Sequence, residues 1–312
     1  MSIIIDGKAI SNKILDNIQE EIIKTIGPND ILPCLTVITI GDDPASRVYV
    51  NNKKKACERV GLRFKNLIFA KTDVASTIIG ALNQEIDDPD TAGIIIQQPI
   101  ISDVLTATDK QDLVEAIPAN KDVDGFGFMA QLGLYDNYNR HPEILFPCTP
   151  LGIVYLLKEA LKNDSVKEIL GDTLSGLNVL IIGRSHIVGK PLANMLLAEN
   201  CTVTVAHSKT KNLLDICRLS TFDILITAVG KPNVITDDHF PFYGPKIIID
   251  VGMNRDENGK LCGDISETNK QLIVGYSGAY TPVPGGVGPM TVAMLISNTW
   301  KSAKNILGLK GN

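Results

Sequence analysis

Short runs of β-branched and apolar residues alternate along this chain with longer stretches in which apolar positions recur every three or four residues. That is the pattern of strands alternating with helices. Residues 3–5 read as a short strand. Isoleucines at 10, 14, 18, 22 and 26 predict an amphipathic helix over residues 8–26, stopped by Gly27-Pro28. Cys34–Ile40 predicts a strand. Asp43 is placed to cap a helix with Pro44 in its first turn, and Gly61 to end it. A strand over 64–69, a helix over 74–86, a buried strand over 93–97 and a helix over 109–117, ended by Pro118, complete the first half.

A polar, glycine-punctuated loop follows at 119–127. A second cluster of breakers, Phe146-Pro147-Cys148-Thr149-Pro150, precedes a helix over 151–161, and the change of domain is placed there. Strands are predicted over 178–182, 201–206, 223–228 and 246–251. One helix carries Leu192, Leu196 and Leu197 on one side, and another runs near 211–219. A segment dense in proline and glycine, 281–289, leads into a last helix over 290–306. Such a segment is rigid and lets backbone approach a ligand closely, or else it serves as a hinge. The alternation predicts an α/β protein with mostly parallel sheet.

A length of 312 residues suggests two domains. Hydrophobic content of 44% and charged content of 21% are ordinary for a soluble globular protein. The net charge of −5 creates no global attraction to nucleic acid or an anionic membrane. The start, MSIIIDGK, lacks the basic region of a signal peptide. Six scattered cysteines without a C-x-x-C pair read as reduced thiols of a cytoplasmic protein, and four dispersed histidines suggest no metal site.

The segment 178–199 is strand, glycine-bearing turn and helix, the arrangement that presents backbone N–H groups to a pyrophosphate. Its turn, Gly183-Arg184-Ser185-His186-Ile187-Val188-Gly189, departs from G-x-G-x-x-G: Ser185 replaces the second glycine and the last comes one position late. By itself the turn also suits an ordinary βα connection. A nicotinamide-binding unit normally carries an acid for the ribose hydroxyl after its second strand. Here that place reads His207-Ser208-Lys209-Thr210. A missing acid, with Arg184 added in the turn, favours the 2′-phosphate of NADP over NAD. The bland alternative is that Arg184 and Lys209 are surface charges.

In the first half, Ser46, Tyr49, Val50, Lys53 and Cys57 fall within a helical sector about 100° wide. A lysine on such a face is either a partly desolvated amine suited to proton transfer or a snorkelling surface charge. Gln97 ends a buried strand, where open α/β sheets place ligands. Asp122 and Asp124 alternate in the loop before the domain change, so one carboxylate can serve a site while the other caps a helix or meets solvent.

The motifs YVNNKKKAC, GIIIQQP, NKDVDGF, PCTP, GRSHIVGKP and TPVPGGVGPMTVAML stand in this order over nearly the whole chain. Together they resemble the bifunctional methylenetetrahydrofolate dehydrogenase/methenyltetrahydrofolate cyclohydrolase family. The resemblance implies two α/β domains flanking a cleft. A folate-binding catalytic domain would span 1–147, completed by the C-terminal helical segment 285–312. A Rossmann-type NADP-binding domain would span 148–284. It implies NADP-dependent oxidation of 5,10-methylenetetrahydrofolate to the methenyl compound, then hydrolysis to 10-formyltetrahydrofolate. A monofunctional dehydrogenase of a reduced pterin is the alternative. By the same resemblance Tyr49 stacks on the folate, Lys53 transfers protons, Gln97 supports Lys53 and Asp124 binds the pterin. Ser46, Pro282, Gly285 and Gly286 join the folate site, while Gly183, Arg184, Ser185, Gly189 and Ser208 contact the cofactor. Tetrahydrofolate derivatives and a second copy of the chain, as a homodimer, are the expected partners. Gln98 and Ile101 depart from the family, which commonly has Leu after the glutamine and Pro shortly beyond it.

Overall fold

The computed structural model describes residues 2–28, 30–219, 221–240, 244–275 and 278–308. Its strands are β1 (Ile3–Ile4), β2 (Cys34–Ile40), β3 (Arg63–Phe69), β4 (Thr91–Ile96), β5 (Asn178–Ile182), β6 (Thr202–Ala206), β7 (Ile224–Thr227), β8 (Ile247–Asp250), β9 (Asn254–Arg255), β10 (Leu261–Cys262) and β11 (Ala279–Tyr280). Its helices are α1 (Gly7–Thr25), α2 (Pro44–Val60), α3 (Ala75–Asp87), α4 (Ala107–Glu115), α5 (Phe128–Asp136), α6 (Cys148–Ala160), α7 (Asp164–Leu170), α8 (Gly189–Ala198), α9 (Leu213–Leu219), α10 (Glu267–Val274) and α11 (Val287–Ile306). Among the described residues no helix is long and apolar enough to cross a membrane.

The chain divides into two compact units. One joins Asn12–Cys148 to the chain from Val292 onward, and the other joins the chain up to Ser11 to Thr149–Thr291. The division between Cys148 and Thr149 falls within residues 146–150. The start of the chain groups with the second half, because β1 pairs in parallel with β11. The Pro–Gly segment up to Thr291 groups there too. Residues 309–312 of the expected C-terminal segment lie outside the described residues.

The first-half unit is built on a parallel sheet in the order β3-β2-β4. β2 is apolar almost throughout and buried, with Leu35, Val37 and Ile38 wholly inaccessible, as expected for the central strand of a covered parallel sheet. Ile38, Ile94, Ile96, Ile78, Leu82 and Leu113 form one core cluster. Each such side chain contributes about 1.5–3 kcal/mol on burial. α2 begins and ends where its local chemistry dictates. The Asp43 carboxylate accepts the Ser46 N–H at 2.7 Å, Pro44 follows, and Gly61 closes the helix with φ +89°.

In α1 the buried face is Ser11, Leu15, Ile18 and Ile22, so only two of the isoleucines spaced four apart lie on it. A spacing of four overshoots the 3.6-residue turn, so that row drifts off the core; Ile10 and Ile14 sit at its margin. Lys121 is buried, and its Nζ donates to the carbonyls of Ile86 (2.7 Å) and Asp88 (2.8 Å), satisfying the C-terminus of α3. The second part of α11 belongs to this unit. Trp300 Nε1 donates to Glu21 at 2.8 Å, and Lys301 Nζ donates to the Ile144 carbonyl at 2.9 Å.

The other unit carries a six-stranded parallel sheet in the order β1-β11-β8-β7-β5-β6. Its core includes Leu180, Ile182, Leu225, Ile248, Ile265 and Tyr280. α8 buries Leu192, Met195 and Leu196, while Leu197 is 55% exposed. From 192 to 197 a helix turns about 140° past a full rotation, which carries Leu197 off the face. β9 and β10 form a small antiparallel hairpin.

Candidate functional site

α2 carries one buried face, Ser46, Val50, Lys53, Ala56, Cys57 and Val60. Lys53 lies on it with 9% exposure, whereas Lys54 and Lys55 are exposed. Its Nζ donates to Gln97 Oε1 at 2.9 Å. Gln97 follows β4 directly and keeps its N–H in the ladder with Ile38 O. Its Nε2 donates to the Gln98 carbonyl at 2.6 Å, so the amide presents its oxygen to Lys53. Ser46 is buried, and its hydroxyl donates to the same Gln98 carbonyl at 3.3 Å. In this structure the serine braces the glutamine segment. Tyr49, one turn before Lys53, is 37% exposed. Burial of its hydroxyl pushes that group's pKa up.

The two loop aspartates have different tasks. The Asp122 carboxylate accepts the N–H groups of Gly125 (3.0 Å), Phe126 (3.4 Å) and Gly127 (2.7 Å), and so shapes the loop leading into α5. Burial pushes its pKa up to about 6, and those N–H donors draw it back down in part. Asp124 is half-buried. Burial raises its pKa, while the charge of Lys53 and the Cys148 thiol lower it part-way. Lys53, Gln97 and Asp124 therefore form one electrostatic group. Cys148, wholly buried, sits behind it. Its thiol donates to Val123 O at 3.2 Å, and burial pushes its pKa well above the ordinary thiol range. Asn298 of α11 donates to Val123 O (2.9 Å) and Phe146 O (3.0 Å), tying the aspartate loop to the segment before α6.

Sequence patterning gave no role to Cys148, Asn298 or Lys121. For Cys148 and Lys121 the available signal was their place within PCTP and NKDVDGF. Nothing local marks Asn298.

In the other unit the turn after β5 is held by close backbone packing. Gly183 has φ +135°, and a Cβ there would lie 2.4 Å from Ala228 O. A Cβ on Gly189 would lie 2.3 Å from Gly183 O. The third glycine of the motif is thus one position late and still serves close packing at the start of α8. Ser185 Oγ accepts from Val188 N at 3.2 Å. Arg184, Ser185 and Ser208 are all exposed. Because Ile182 pairs with Ala206, Arg184 and Ser208 leave the carboxyl ends of adjacent strands. A helix N-terminus, glycine-tight backbone and an exposed arginine, with no carboxylate at 207–210, fit a dinucleotide with an extra phosphate. Pro282 and Gly285 are half-buried, and Gly286 is buried. Gly285 O accepts Lys8 N at 2.8 Å, which fixes this loop to the start of α1 within the same unit. Among the described residues no group of three His, Cys, Asp or Glu is arranged to hold a metal ion.

A doubly wound parallel sheet with a glycine turn, together with a second α/β unit bearing a lysine–glutamine–aspartate group, defines a two-unit nucleotide-dependent α/β enzyme. The particular family follows from comparison with known proteins. Residues 5–124 match the catalytic domain of tetrahydrofolate dehydrogenase/cyclohydrolase, and residues 147–307 match its NAD(P)-binding domain. The chain belongs to the tetrahydrofolate dehydrogenase/cyclohydrolase family. It is 41% identical over 304 residues to the bifunctional protein FolD of Campylobacter hominis, covering 97% of this chain and 98% of that one. It is similar to the solved FolD dehydrogenase/cyclohydrolase of Campylobacter jejuni, with TM-score 0.82, 38% identity, and 98% and 99% of the two chains covered. The Trypanosoma brucei enzyme, solved with NADP and an inhibitor, matches with TM-score 0.82 and 27% identity over 98% of each chain.

Proposed function

We propose that this protein is a bifunctional one-carbon folate enzyme. It oxidises 5,10-methylenetetrahydrofolate with NADP and hydrolyses the 5,10-methenyl product to 10-formyltetrahydrofolate. The observation that carries the hydrolytic half is Lys53 Nζ against Gln97 Oε1 at 2.9 Å on a buried helix face. A dehydrogenase alone has no need of a buried amine held by its own glutamine, which disfavours the monofunctional alternative.

NADP supplies the hydride acceptor when bound. Gly183, Arg184, Ser185, Gly189 and Ser208 would hold it, with the Arg184 guanidinium supplying positive charge for the 2′-phosphate. Hydride transfer needs alignment more than proton exchange. Hydration of the methenyl carbon needs a proton removed from water and one delivered to the departing ring nitrogen. One positioned amine serves both steps, and Lys53 is that group. Gln97 aims it, and Asp124 holds the pterin ring. Tyr49 stacks on the folate, with its ring at the exposed edge of α2. Pro282, Gly285 and Gly286 are assigned to folate binding. Ser46 supports it through Gln98. The unit carrying Lys53, with the end of α11, is the folate-binding domain, and the other binds NADP.

The protein acts in the cytoplasm, where buried free thiols stay reduced, and has no nucleic-acid partner. It forms a two-fold homodimer; light scattering at micromolar concentration is expected to give twice the chain mass, and a monomer contradicts this. The activity itself is tested by following methenyl formation and its disappearance in one cuvette with NADP. Formation without accelerated hydrolysis refutes the bifunctional reading.

A further inference from the structure

Two aspartates and one lysine are buried together in the dinucleotide unit, and the reaction described above uses none of them. Asp250 ends β8 with 1% exposure; Asp264 and Lys270 are wholly inaccessible. Lys270 Nζ lies 3.0 Å from Asp250 Oδ2. Buried charges are retained only where partners compensate the loss of water, so their partners show what they hold.

Asp264 is held by backbone. Its Oδ2 accepts Val229 N at 2.7 Å, and its Oδ1 accepts Gly230 N at 3.0 Å and Lys231 N at 3.1 Å. Oδ1 also accepts Asn254 Nδ2 at 2.9 Å. Three successive N–H groups converging on one carboxylate form a fixed anion nest, here turned inward on the protein's own side chain. It fixes the loop that leaves the carboxyl end of β7. Asp250 continues the network: its Oδ1 accepts Asp264 N at 3.0 Å and Gly252 N at 2.9 Å, and its Oδ2 accepts Ile265 N at 3.1 Å. Lys270 then reaches the third loop. It donates to Thr281 O at 3.1 Å, at the head of the Pro–Gly segment, and pairs with Glu267 at 2.7 Å. Glu267 in turn accepts Val283 N at 3.3 Å.

The glycines show how tightly the carboxylates are enclosed. A Cβ on Gly252 would lie 2.3 Å from Asp264 Oδ1, and one on Gly263 would lie 1.9 Å from Asp250 Oδ2. The β7 loop begins at Ala228, whose carbonyl limits the Gly183 turn. Asp264 therefore stands one loop behind the dinucleotide turn, at the carboxyl ends of the strands where open parallel sheets bind ligands.

We propose that Asp264 is a positioning residue for the dinucleotide. By pinning residues 229–231 and Asn254 its side chain fixes the backbone at the carboxyl ends of β7 and β8. This rests on the NADP-dependent reading above. The Asp264 carboxylate bonds to none of Lys53, Gln97 or the Pro–Gly loop, which Lys270 and Glu267 hold, so its loss weakens nucleotide binding and leaves hydrolysis intact.

The test is direct titration of NADP⁺ into the purified full-length parent, Asp264→Asn and Asn254→Ala, with cyclohydrolase turnover measured without nucleotide. Asp264→Asn is expected to raise the NADP⁺ Kd about tenfold or more, the scale of one lost charge-assisted hydrogen bond. Asn254→Ala leaves all three buried charges in place and is expected to raise it about threefold. Cyclohydrolase turnover stays within about twofold of the parent in both, as expected when the hydrolytic group itself is untouched. If Asp264→Asn fails to fold in a thermal melt, Asn254→Ala decides. Folded variants that bind NADP⁺ as the parent does overturn the proposal. So does a parallel fall in nucleotide affinity and hydrolysis, which marks general loss of packing. A parent that binds no NADP⁺ overturns the NADP reading and this inference with it.

Discussion

Lys53 and Gln97 are joined by a 2.9 Å hydrogen bond whose direction is set from behind, because Gln97 Nε2 is already committed to the Gln98 carbonyl. The glutamine thus acts as an acceptor for the amine and cannot turn over without breaking its own anchor. Gln97→Leu keeps the volume and removes the acceptor. A hydrogen bond to a charged group contributes about 1.5–3 kcal/mol, so cyclohydrolase kcat is expected to fall by roughly ten- to a hundredfold. Hydrolysis at the parent rate in this variant contradicts the supporting role.

Arg184 projects from the turn after β5 beside a strand end that offers Ser208 and no acid. The parent is expected to use NADP better than NAD. Arg184→Ala is expected to narrow the gap in kcat/KM by about 1–3 kcal/mol, the scale of a charge-assisted contact to phosphate. Equal efficiency with both nucleotides in the parent contradicts the assignment.

Asp122 offers a pH measurement. Its pKa rises from 3.8 to about 6 on folding, chiefly through burial. A carboxyl raised in this way holds its proton more firmly in the folded state. Its contribution to stability is therefore full below about 3.8 and is lost as pH rises through about 6, with a ceiling of about 3 kcal/mol. Carbon-detected titration of the labelled carboxyl is expected to give a midpoint near 6. A midpoint at or below the ordinary carboxylate value shows that the N–H groups of Gly125, Phe126 and Gly127 outweigh burial.

What could be read from the chain alone depended on how local its cause was. The Asp43 cap, Pro44 and Gly61 act within one turn, and α2 starts and stops where they stand. The lysine face of α2 was legible for the same reason, since helical geometry alone separates Lys53 from Lys54 and Lys55. α5 was not: Phe128, Met129, Leu132 and Tyr135 are exposed apolar residues, so hydrophobicity does not mark its buried side. α10 was hidden because its buried face includes a charged residue, Lys270. β11 has only two residues and exists through pairing with β1 and β8. The brace role of Ser46 and the capping of α3 by Lys121 depend on partners 52 and 33 residues away, beyond any periodicity.

The central claim is that Lys53 carries protons for hydrolysis and not for hydride transfer. Both activities measured on one purified Lys53→Met preparation, with folding checked by thermal melt, test it most directly. The expected result is loss of about 10²–10⁴-fold or more in cyclohydrolase turnover, with a much smaller fall in dehydrogenase activity from altered positioning. If Lys53→Met hydrolyses methenyltetrahydrofolate within a few-fold of the parent, Lys53 is not the proton carrier, and Asp124 becomes the residue to test.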